Sequence, residues 1–427
     1  SPDGNEVAYS VNISGQYNLW RQSTEGGYPR QVTLSGELAV REVDWSPDGT
    51  TFLYTADRNG DEFTQVYTVP VTGGQPAMFP SEADVRHSLG FGKSWSPDGS
   101  KVAFAGNDRE PTEQDVVIRD MATGHERRIV TGEATYFPAG WSPDGSQLLA
   151  LEFHTNTNTN ILVVDIEEGT ARTATPHDGE ALYVPTGWAS DGSGFYLTTD
   201  EGREFTGLAF HDLERNTREW VEAPEWEVEA ASISSDGTRL VWSVNEDGYS
   251  RLRVRQIDGD HEPVEIELPG GVLIDMALSR DASRLAVLWA RPTHPEEIFT
   301  IDLSTGAATQ ITHGALGGID DADLTEPELI RYPTFDGREI PAFLYRPESV
   351  DGPMPVVLSI HGGPEAQERP RYAYSGLYQY LTSRGIAVLA PNIRGSTGYG
   401  KSYQKLIHRD WGGDELKDIE AAAKWLQ

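Results

Sequence analysis

The chain has 427 residues, enough for two or more domains, and its lack of cysteine excludes disulfides, cysteine-ligated metals and a cysteine nucleophile. A net charge of −33 argues against nucleic acid and anionic membranes as partners, because like charges repel. No apolar run approaches the roughly 18 residues of a membrane span, and ten histidines without metal-ligand spacing predict that the protein uses no metal or other cofactor.

The basic residues are almost all arginine, with 28 arginines and only 6 lysines. One interpretation of the charge is an ordinary acidic protein. We favour adaptation to high salt, in which many carboxylates keep the protein hydrated and salt screens their repulsion. Unfolding should then become easier below molar salt. The lack of cysteine fits a cytoplasmic setting, but the chain opens inside a turn motif, so we expect an N-terminal segment to be missing and leave a signal peptide open.

A turn motif recurs through the first three quarters of the chain and then decays. Its copies are Ser1-Pro-Asp-Gly4, Trp45-Ser-Pro-Asp-Gly49, Trp95-Ser-Pro-Asp-Gly99, Trp141-Ser-Pro-Asp-Gly145, Trp188-Ala-Ser-Asp-Gly192, Ile233-Ser-Ser-Asp-Gly237 and Leu278-Ser-Arg-Asp-Ala282. The aspartates are 45, 50, 46, 47, 45 and 45 residues apart, a period typical of repeat folds. The β-rich runs around each turn divide into four strands, as in a propeller blade. The sequence therefore predicts a seven-bladed β-propeller over residues 1–313, with an incomplete first blade.

The tryptophan and the aspartate of the repeat each have a binding and a structural interpretation. An aromatic residue at the same place in successive repeats is typical of packing between blades. The aspartate of Ser-Pro-Asp-Gly is typical of a turn, and the motif lacks the alternating carboxylates of a calcium loop. We therefore predict that both residues are structural.

After Thr312 the repeat stops, and residues 314–323 are rich in glycine and aspartate, as in a linker. The elements predicted beyond it are an antiparallel pair at 328–333 and 340–345, a strand buried on both faces at 356–360, a helix at 375–383, a strand at 386–390, and a helix at 414–427 with Leu416, Ile419, Ala423 and Leu426 on its apolar face. A strand, helix and strand in succession indicate a parallel crossover. The fold class is therefore β + α/β, a propeller followed by residues 314–427 as the first part of an α/β domain.

The run His361-Gly362-Gly363-Pro364 directly follows the predicted strand at 356–360. Two glycines let the backbone approach a ligand closely, because no Cβ intervenes. In α/β-hydrolases the loop at this place gives a backbone N–H to the oxyanion hole. Taken alone, a plain turn explains Gly-Gly-Pro equally well.

The order of three motifs resolves this ambiguity. His361-Gly-Gly-Pro364, Asn392-Ile-Arg-Gly-Ser-Thr-Gly-Tyr-Gly400 and Asp410-Trp-Gly412 followed by Asp418 resemble the prolyl oligopeptidase family of serine peptidases, most closely its acylaminoacyl-peptidase-like branch. The resemblance implies a propeller joined to an α/β-hydrolase domain, and a Ser-Asp-His triad whose serine lies in a Gly-x-Ser-x-Gly elbow. No such elbow follows His361, so we expect the triad to lie beyond Gln427 and the chain to be inactive.

The resemblance carries over residue by residue only in part. Gly363 would offer its N–H to the oxyanion, with Gly362 and His361 shaping the loop. Arg394 would hold the site loops through a structural ion pair, with substrate contact as the alternative. The dipeptidyl branch captures the substrate amine with a glutamate pair, and Glu296-Glu297 is the obvious pair here. We interpret that pair as the edge of the seventh blade and disfavour the dipeptidyl branch.

The resemblance implies a parent protein that hydrolyses short or N-acylated peptides by acyl transfer. The partner would be a short peptide, and a homo-oligomer is left open. Two alternatives stay: an esterase on the same scaffold, or a non-catalytic propeller that binds peptides or proteins.

Overall fold

The computed structural model describes residues 1–13, 15–82, 84–259, 261–347, 352–363 and 365–427. Many more of these residues lie in β-strands than in helices, and the helices among them all lie in the last quarter of the chain. No helix among the described residues combines the length and the apolar character that a membrane span requires.

The first 27 strands form seven successive antiparallel sheets, each a meander of strands neighbouring in sequence. The first sheet has three strands: β1 (Glu6–Asn12), β2 (Tyr17–Ser23) and β3 (Arg30–Gln31). The second and third have four strands each: β4 (Leu38–Trp45), β5 (Thr51–Arg58), β6 (Gln65–Pro70) and β7 (Ala77–Met78), then β8 (His87–Ser88), β9 (Lys101–Glu110), β10 (Glu113–Asp120) and β11 (Glu126–Val130).

The remaining four sheets also have four strands each. The fourth and fifth sheets are β12 (Thr135–Trp141), β13 (Gln147–Thr155), β14 (Asn158–Asp165) and β15 (Ala171–Thr173), then β16 (Tyr183–Trp188), β17 (Gly194–Thr199), β18 (Gly207–Asp212) and β19 (Thr217–Glu222). The sixth and seventh sheets are β20 (Glu227–Ile233), β21 (Arg239–Glu246), β22 (Tyr249–Gln256) and β23 (Val264–Glu265), then β24 (Val272–Leu278), β25 (Arg284–Arg291), β26 (His294–Asp302) and β27 (Ala308–Gln310). The arrangement of successive antiparallel sheets is propeller-like, which confirms the coarse part of the predicted architecture. We call β1–β27 the seven-sheet part.

The recurring turn connects the first two strands of the second to seventh sheets, and its polar side chains bond within the turn. Ser46 Oγ donates to Asp48 Oδ1 at 2.6 Å, and Asp48 also accepts from the backbone N–H of Thr50 at 3.0 Å. These bonds lower the pKa of Asp48 below its usual range, the bond from Ser46 contributing most. Gly49 has a φ of +73°, which an L side chain rarely adopts. The aspartate is therefore a turn residue in this structure.

The tryptophans of the motif link neighbouring sheets. Trp141 Nε1 donates to the carbonyl oxygen of Ser94 at 2.8 Å, and Trp188 Nε1 donates to that of Gly140 at 3.1 Å. Trp141 belongs to an apolar cluster drawn from the third and fourth sheets, and Trp188 to one drawn from the fourth and fifth. The core therefore sits between the sheets, and these aromatic residues pack it.

The first and seventh sheets also touch. Gln22 Nε2 donates to the carbonyl oxygen of Ile311 at 2.8 Å, and Thr300 Oγ1 donates to that of Thr24 at 2.9 Å. Two neutral hydrogen bonds across nearly 300 residues of sequence bring the two ends of the seven-sheet part together.

Residues after 313, which we call the C-terminal part, form one four-stranded sheet with helices around it. Its strands are β28 (Glu328–Pro333), β29 (Glu339–Tyr345), β30 (Val356–Leu358) and β31 (Ala387–Pro391), in the order β28-β29-β31-β30. Its α-helices are α1 (Leu377–Ser383), α2 (Lys401–Gln404) and α3 (Asp414–Trp425), with short 3-10 turns at Asp321–Asp323, Ala373–Gly376 and Lys405–Ile407. The predicted antiparallel pair is confirmed as β28 and β29, and β30 pairs parallel with β31.

Three details of the C-terminal part were predicted wrongly. The strand after Pro355 is not buried on both faces: β30 ends at Leu358 and is an edge strand among the described residues, with Val357 39% exposed. Helix α1 begins at Leu377, because Tyr374 and Ser375 have positive φ angles of 49° and 56° that no α-helix accepts. The third error concerns the terminal helix.

Helix α3 presents its predicted apolar face to the sheet only in part: Leu426 packs against the buried cluster of the sheet and Ile419 is half-buried, but the other two residues of that face are exposed. Leu416 is 49% exposed and Ala423 is also exposed, whereas Asp418 and Ala422 are completely buried. A buried aspartate one turn before a buried alanine defines the inner face. The reason is that Asp418 pairs with an arginine beneath the helix, as described below.

The two parts meet through ion pairs in which the C-terminal part supplies the cation. Lys401 Nζ lies 3.0 Å from Asp200 Oδ2, and Lys405 Nζ lies 2.7 Å from Glu180 Oε2. The other pairs are Arg369 with Glu229 and Arg331 with Asp247. Charge is divided accordingly: residues 1–313 hold 51 acidic and 22 basic side chains, a net charge of −29, whereas residues 314–427 hold 16 and 12, a net charge of −4.

Candidate active site

The loop after β30 has a backbone shape that only glycine fits. Gly363 has a φ of +133°, and a Cβ at this position would lie 2.7 Å from the backbone nitrogen of Glu365. Gly362 and Gly363 are exposed, and neither amide donates to an acceptor among the described residues. Pro364 of the predicted motif lies outside the described residues. Exposed amides that no secondary structure uses can donate to a negative charge that develops on a substrate.

His361 bridges the glycine loop and the loop that follows β31. One ring nitrogen, Nδ1, lies 3.0 Å from the carbonyl oxygen of Gly362, and the other, Nε2, lies 2.9 Å from Ser396 Oγ. Burial lowers the pKa of His361 below its usual range, so the ring is neutral near pH 7. This geometry places His361 as a support of the loop backbone.

The contact between His361 and Ser396 does not make a catalytic pair. Ser396 is completely buried, and its hydroxyl donates to the carbonyl oxygen of Ile393 at 2.6 Å. A hydroxyl that is closed to solvent and committed to a backbone acceptor has no path to a substrate carbonyl. His408, the other histidine of this region, lies with Nε2 2.6 Å from Glu365 Oε1.

Arg394 is a buried guanidinium that joins three segments of the C-terminal part. It is 3% exposed and grips Asp418 of α3 with two bonds of 2.8 Å, from Nε and Nη2. Its Nη1 lies 3.3 Å from Asp336, in the turn between β28 and β29, and 3.5 Å from Asp414. The bonds to Asp418 raise the pKa of Arg394 above its already high ordinary value. The guanidinium has no exposed face for a substrate.

Asn392 and Glu368 form a second link between site loops, and neither was singled out from the sequence as a functional residue. The amide side chain of Asn392, itself completely buried, accepts from Glu368 N at 2.7 Å and donates to Glu368 O at 3.0 Å. A signal was present: Asn392 directly follows β31, and the carboxyl end of a parallel strand is where α/β sheets place site residues.

The Glu368 side chain is buried, with the Tyr378 hydroxyl and the charge of Arg371 near it. It is 6% exposed, and burial raises its pKa to about 7 from an ordinary value of 4.5. A carboxyl that stays protonated close to neutral pH makes the stability of this region sensitive to pH.

Glu297 belongs to the glutamate pair considered above as an amine-binding site of the dipeptidyl branch, but its carboxylate already accepts two hydrogen bonds. It is 2% exposed and accepts from Thr312 Oγ1 at 2.5 Å and from the backbone N–H of Gly314. Its carboxylate therefore fixes the end of the seventh sheet, and a substrate amine would have to displace both donors.

Removing the guanidinium of Arg394 should destabilise the C-terminal part strongly. We expect Arg394→Gln to lower the free energy of unfolding by about 3–5 kcal/mol, because it leaves the buried carboxylate of Asp418 unpaired. Urea titration followed by tryptophan fluorescence measures the change. Arg338→Gln is the matched control: this arginine also contacts Asp336 but is 45% exposed, so its loss should cost under about 1 kcal/mol. Equal losses in the two variants would contradict the account.

The raised pKa of Glu368 predicts a pH dependence with a definite sign. Between about pH 4.5 and pH 7 the unfolded chain loses this proton while the folded chain keeps it, so stability falls as pH rises and levels off above pH 7. The full effect is on the order of 3 kcal/mol. The urea midpoint of unfolding should change less between pH 5 and pH 8 in Glu368→Gln than in the wild type. In the control Glu328→Gln, which replaces an exposed glutamate, the midpoint should change with pH as it does in the wild type. If Glu368→Gln also keeps the wild-type pH dependence, Glu368 is not its source.

Two family models match this chain. The N-terminal β-propeller domain of prolyl oligopeptidase matches residues 31–313, and the prolyl oligopeptidase family matches residues 372–427. Dipeptidyl aminopeptidase BIII of Pseudoxanthomonas mexicana is 26% identical over 446 residues, which cover 100% of this chain and 63% of that protein. The uncharacterized peptidase YuxL of Bacillus subtilis is 26% identical over 502 residues, covering 99% of this chain and 72% of that protein.

A solved structure from a study of two prolyl endopeptidases is similar in fold. It superposes with a TM-score of 0.83 at 18% identity, covering 100% of this chain and 65% of the other. The chain thus spans somewhat under two thirds of the length of two of these relatives. With one family model matching residues 31–313, well over half of the sequence, the chain belongs to the prolyl oligopeptidase family.

Proposed function

We propose that this chain is part of a serine peptidase, and that the whole enzyme acts on short or N-acylated peptides by acyl transfer. Family membership supports the reaction class, since the relatives are peptidases. The observation that carries the proposal for this chain is the exposed Gly362-Gly363 pair, which follows the edge strand β30 and in which Gly363 has a φ of +133° that favours glycine. Such a pair suits the stabilisation of the oxyanion that forms when a peptide carbonyl is attacked.

In this proposal the chain has two domains, residues 1–313 and 314–427. The seven sheets close into a seven-bladed propeller, which the contacts of Gln22 and Thr300 between the first and last sheets support. A closed propeller over the site would keep folded proteins out and admit short peptides.

Each site residue has one role in the proposal. Gly363 donates its N–H to the oxyanion, Gly362 keeps the approach open, and His361 supports the loop backbone. Arg394 holds the surrounding segments together and does not contact substrate. The names of the relatives include dipeptidyl peptidases, so the acylaminoacyl-like branch gains no support from them and stays a prediction.

The 427-residue chain should not turn over substrate by itself. It has no Gly-x-Ser-x-Gly after His361, and Ser396, which His361 contacts, is buried. We expect no hydrolysis of an acetyl-peptide p-nitroanilide or an aryl ester above the uncatalysed rate. A steady release of p-nitroaniline, sensitive to a serine-directed reagent, would show that a nucleophile is present within these residues.

The glycine pair can be tested once a nucleophile is supplied. In an active chimera that continues residues 1–427 with the part of the Bacillus subtilis relative that this chain does not cover, Gly363→Ala should lower kcat by about 10²–10³-fold, because the added Cβ displaces the amide. Gly362→Ala is the comparison: a Cβ there meets no atom of the chain within 4 Å, so the loop keeps its shape, and the loss of kcat, which comes only from a narrower approach, should be smaller than for Gly363→Ala. A folded, active chimera in which Gly363→Ala keeps full kcat would remove the proposed role of this amide.

A further inference from the structure

The five residues after the glycine loop, residues 365–369, which we call the strap, run between the two parts of the molecule. The side chains of Glu365, Gln367 and Arg369 contact the seven-sheet part. The main chain of the alternate residues, Ala366 and Glu368, bonds to the loop that follows β31. The strap therefore has contacts on both sides, and the Glu365 carboxylate also contacts Gln404 and His408 of the C-terminal part.

Arg369 makes the strongest attachment to the seven-sheet part. Its guanidinium lies 2.5 Å from Glu229 Oε2 on β20 and donates to the carbonyl oxygen of Gly248 at 2.8 Å and to Ser250 Oγ at 3.1 Å. Glu229 is held in turn by the hydroxyls of Ser243 and Ser250, at 2.7 and 2.6 Å. Arg369 and Glu229 are each only 16% exposed, so salt screens this pair less than a surface pair.

The other two strap side chains contact different sheets. Asn245 Nδ2, on β21, donates to Gln367 Oε1 at 2.6 Å. Asn156, in the turn between β13 and β14, donates to Glu365. The strap therefore touches the fourth and the sixth sheets at once, and a relative movement of the two parts would pull on it.

The opposite side of the strap is fixed to the site loops of the C-terminal part. Asn392 bonds to both the N–H and the carbonyl of Glu368, and the N–H of Thr397 donates to the carbonyl oxygen of Ala366 at 3.0 Å. Ser396, which His361 contacts, precedes Thr397. Tension on the strap would thus reach the glycine loop both directly along the chain and through this neighbouring loop.

We propose that Arg369 is a positioning residue, and that through the strap the seven-sheet part sets the place of the Gly362-Gly363 amides. When the two parts are docked, the strap holds the glycine loop in its site geometry; when they separate, the loop loses that support. The inference rests on the proposed role of the glycine pair. It adds that peptide hydrolysis would require the two parts to dock through Arg369, in addition to the shielding of the site by the seven-sheet part.

Hydrogen–deuterium exchange of the 427-residue chain tests the inference without any turnover. In Arg369→Gln, peptides covering residues 359–371 should exchange about tenfold faster or more, because the strap loses three bonds of a charged group. Peptides from α3 and from the inner strands of the sheets should keep their wild-type rates. Glu229→Gln, the milder partner variant, should act in the same direction, and the double variant should add little to Arg369→Gln.

Arg331→Gln is the matched control, because Arg331 also pairs across the two parts, with Asp247, but lies outside the strap. If Arg369 only helps to dock the parts, both variants will loosen residues 359–371 alike, and the proposal is overturned. It is equally overturned if a folded Arg369→Gln protein shows unchanged exchange there. Since exchange is measured without substrate, failure of this test leaves the proposed peptidase activity standing, and failure of the activity assay leaves this result standing.

Discussion

The arrangement of the molecule depends on charge pairs between an acidic seven-sheet part and the cations of a nearly neutral C-terminal part. Among the described residues, four pairs of a lysine or arginine with a carboxylate cross the junction, and in each of them the C-terminal part supplies the cation. Four of the six lysines of the chain lie in residues 401–424, and two of these reach across to Asp200 and Glu180. A net charge of −29 on residues 1–313 makes the sheets a strong attractor for these cations, and close pairs at a partly buried surface are screened less than exposed ones.

Two groups of polar contacts connect the segments around the glycine loop. On one side the buried Arg394-Asp418 pair joins α3, the turn after β28 and the loop after β31 into one unit. On the other side the strap ties that unit to the fourth and sixth sheets through Glu365, Gln367 and Arg369. The Gly362-Gly363 pair precedes the strap and is exposed. The amides proposed to stabilise an oxyanion are therefore flanked by segments that polar contacts hold together.

The sequence predicts the repeated parts of this structure better than the site. The turn motif recurs at a fixed period and each copy satisfies itself locally, as Ser46 and Asp48 show, so the propeller-like sheets follow from short-range chemistry. The contacts of the strap join residues more than 100 positions apart. The residues around Glu365, Gln367 and Arg369 in the sequence do not indicate these partners. The inner face of α3 was predicted only in part for the same reason: apolar periodicity favours Leu416, but a distant arginine pairs with Asp418 and turns it inward. Polar contacts between residues far apart in the chain leave no periodic pattern, so they could not be predicted from the sequence.

Zero-length carbodiimide cross-linking tests the docking of the two parts most directly, because it joins a lysine only to a carboxylate in contact and the chain has only six lysines. Peptide mass spectrometry should find Lys401 joined to Asp200 and Lys405 joined to Glu180, whose atoms lie 3.0 and 2.7 Å apart. Lys417 and Asp414, 2.7 Å apart within the C-terminal part, provide the internal positive control. If the Lys417 link forms while Lys401 and Lys405 join other carboxylates or none, the two parts do not dock as described, and the account of the site fails with them.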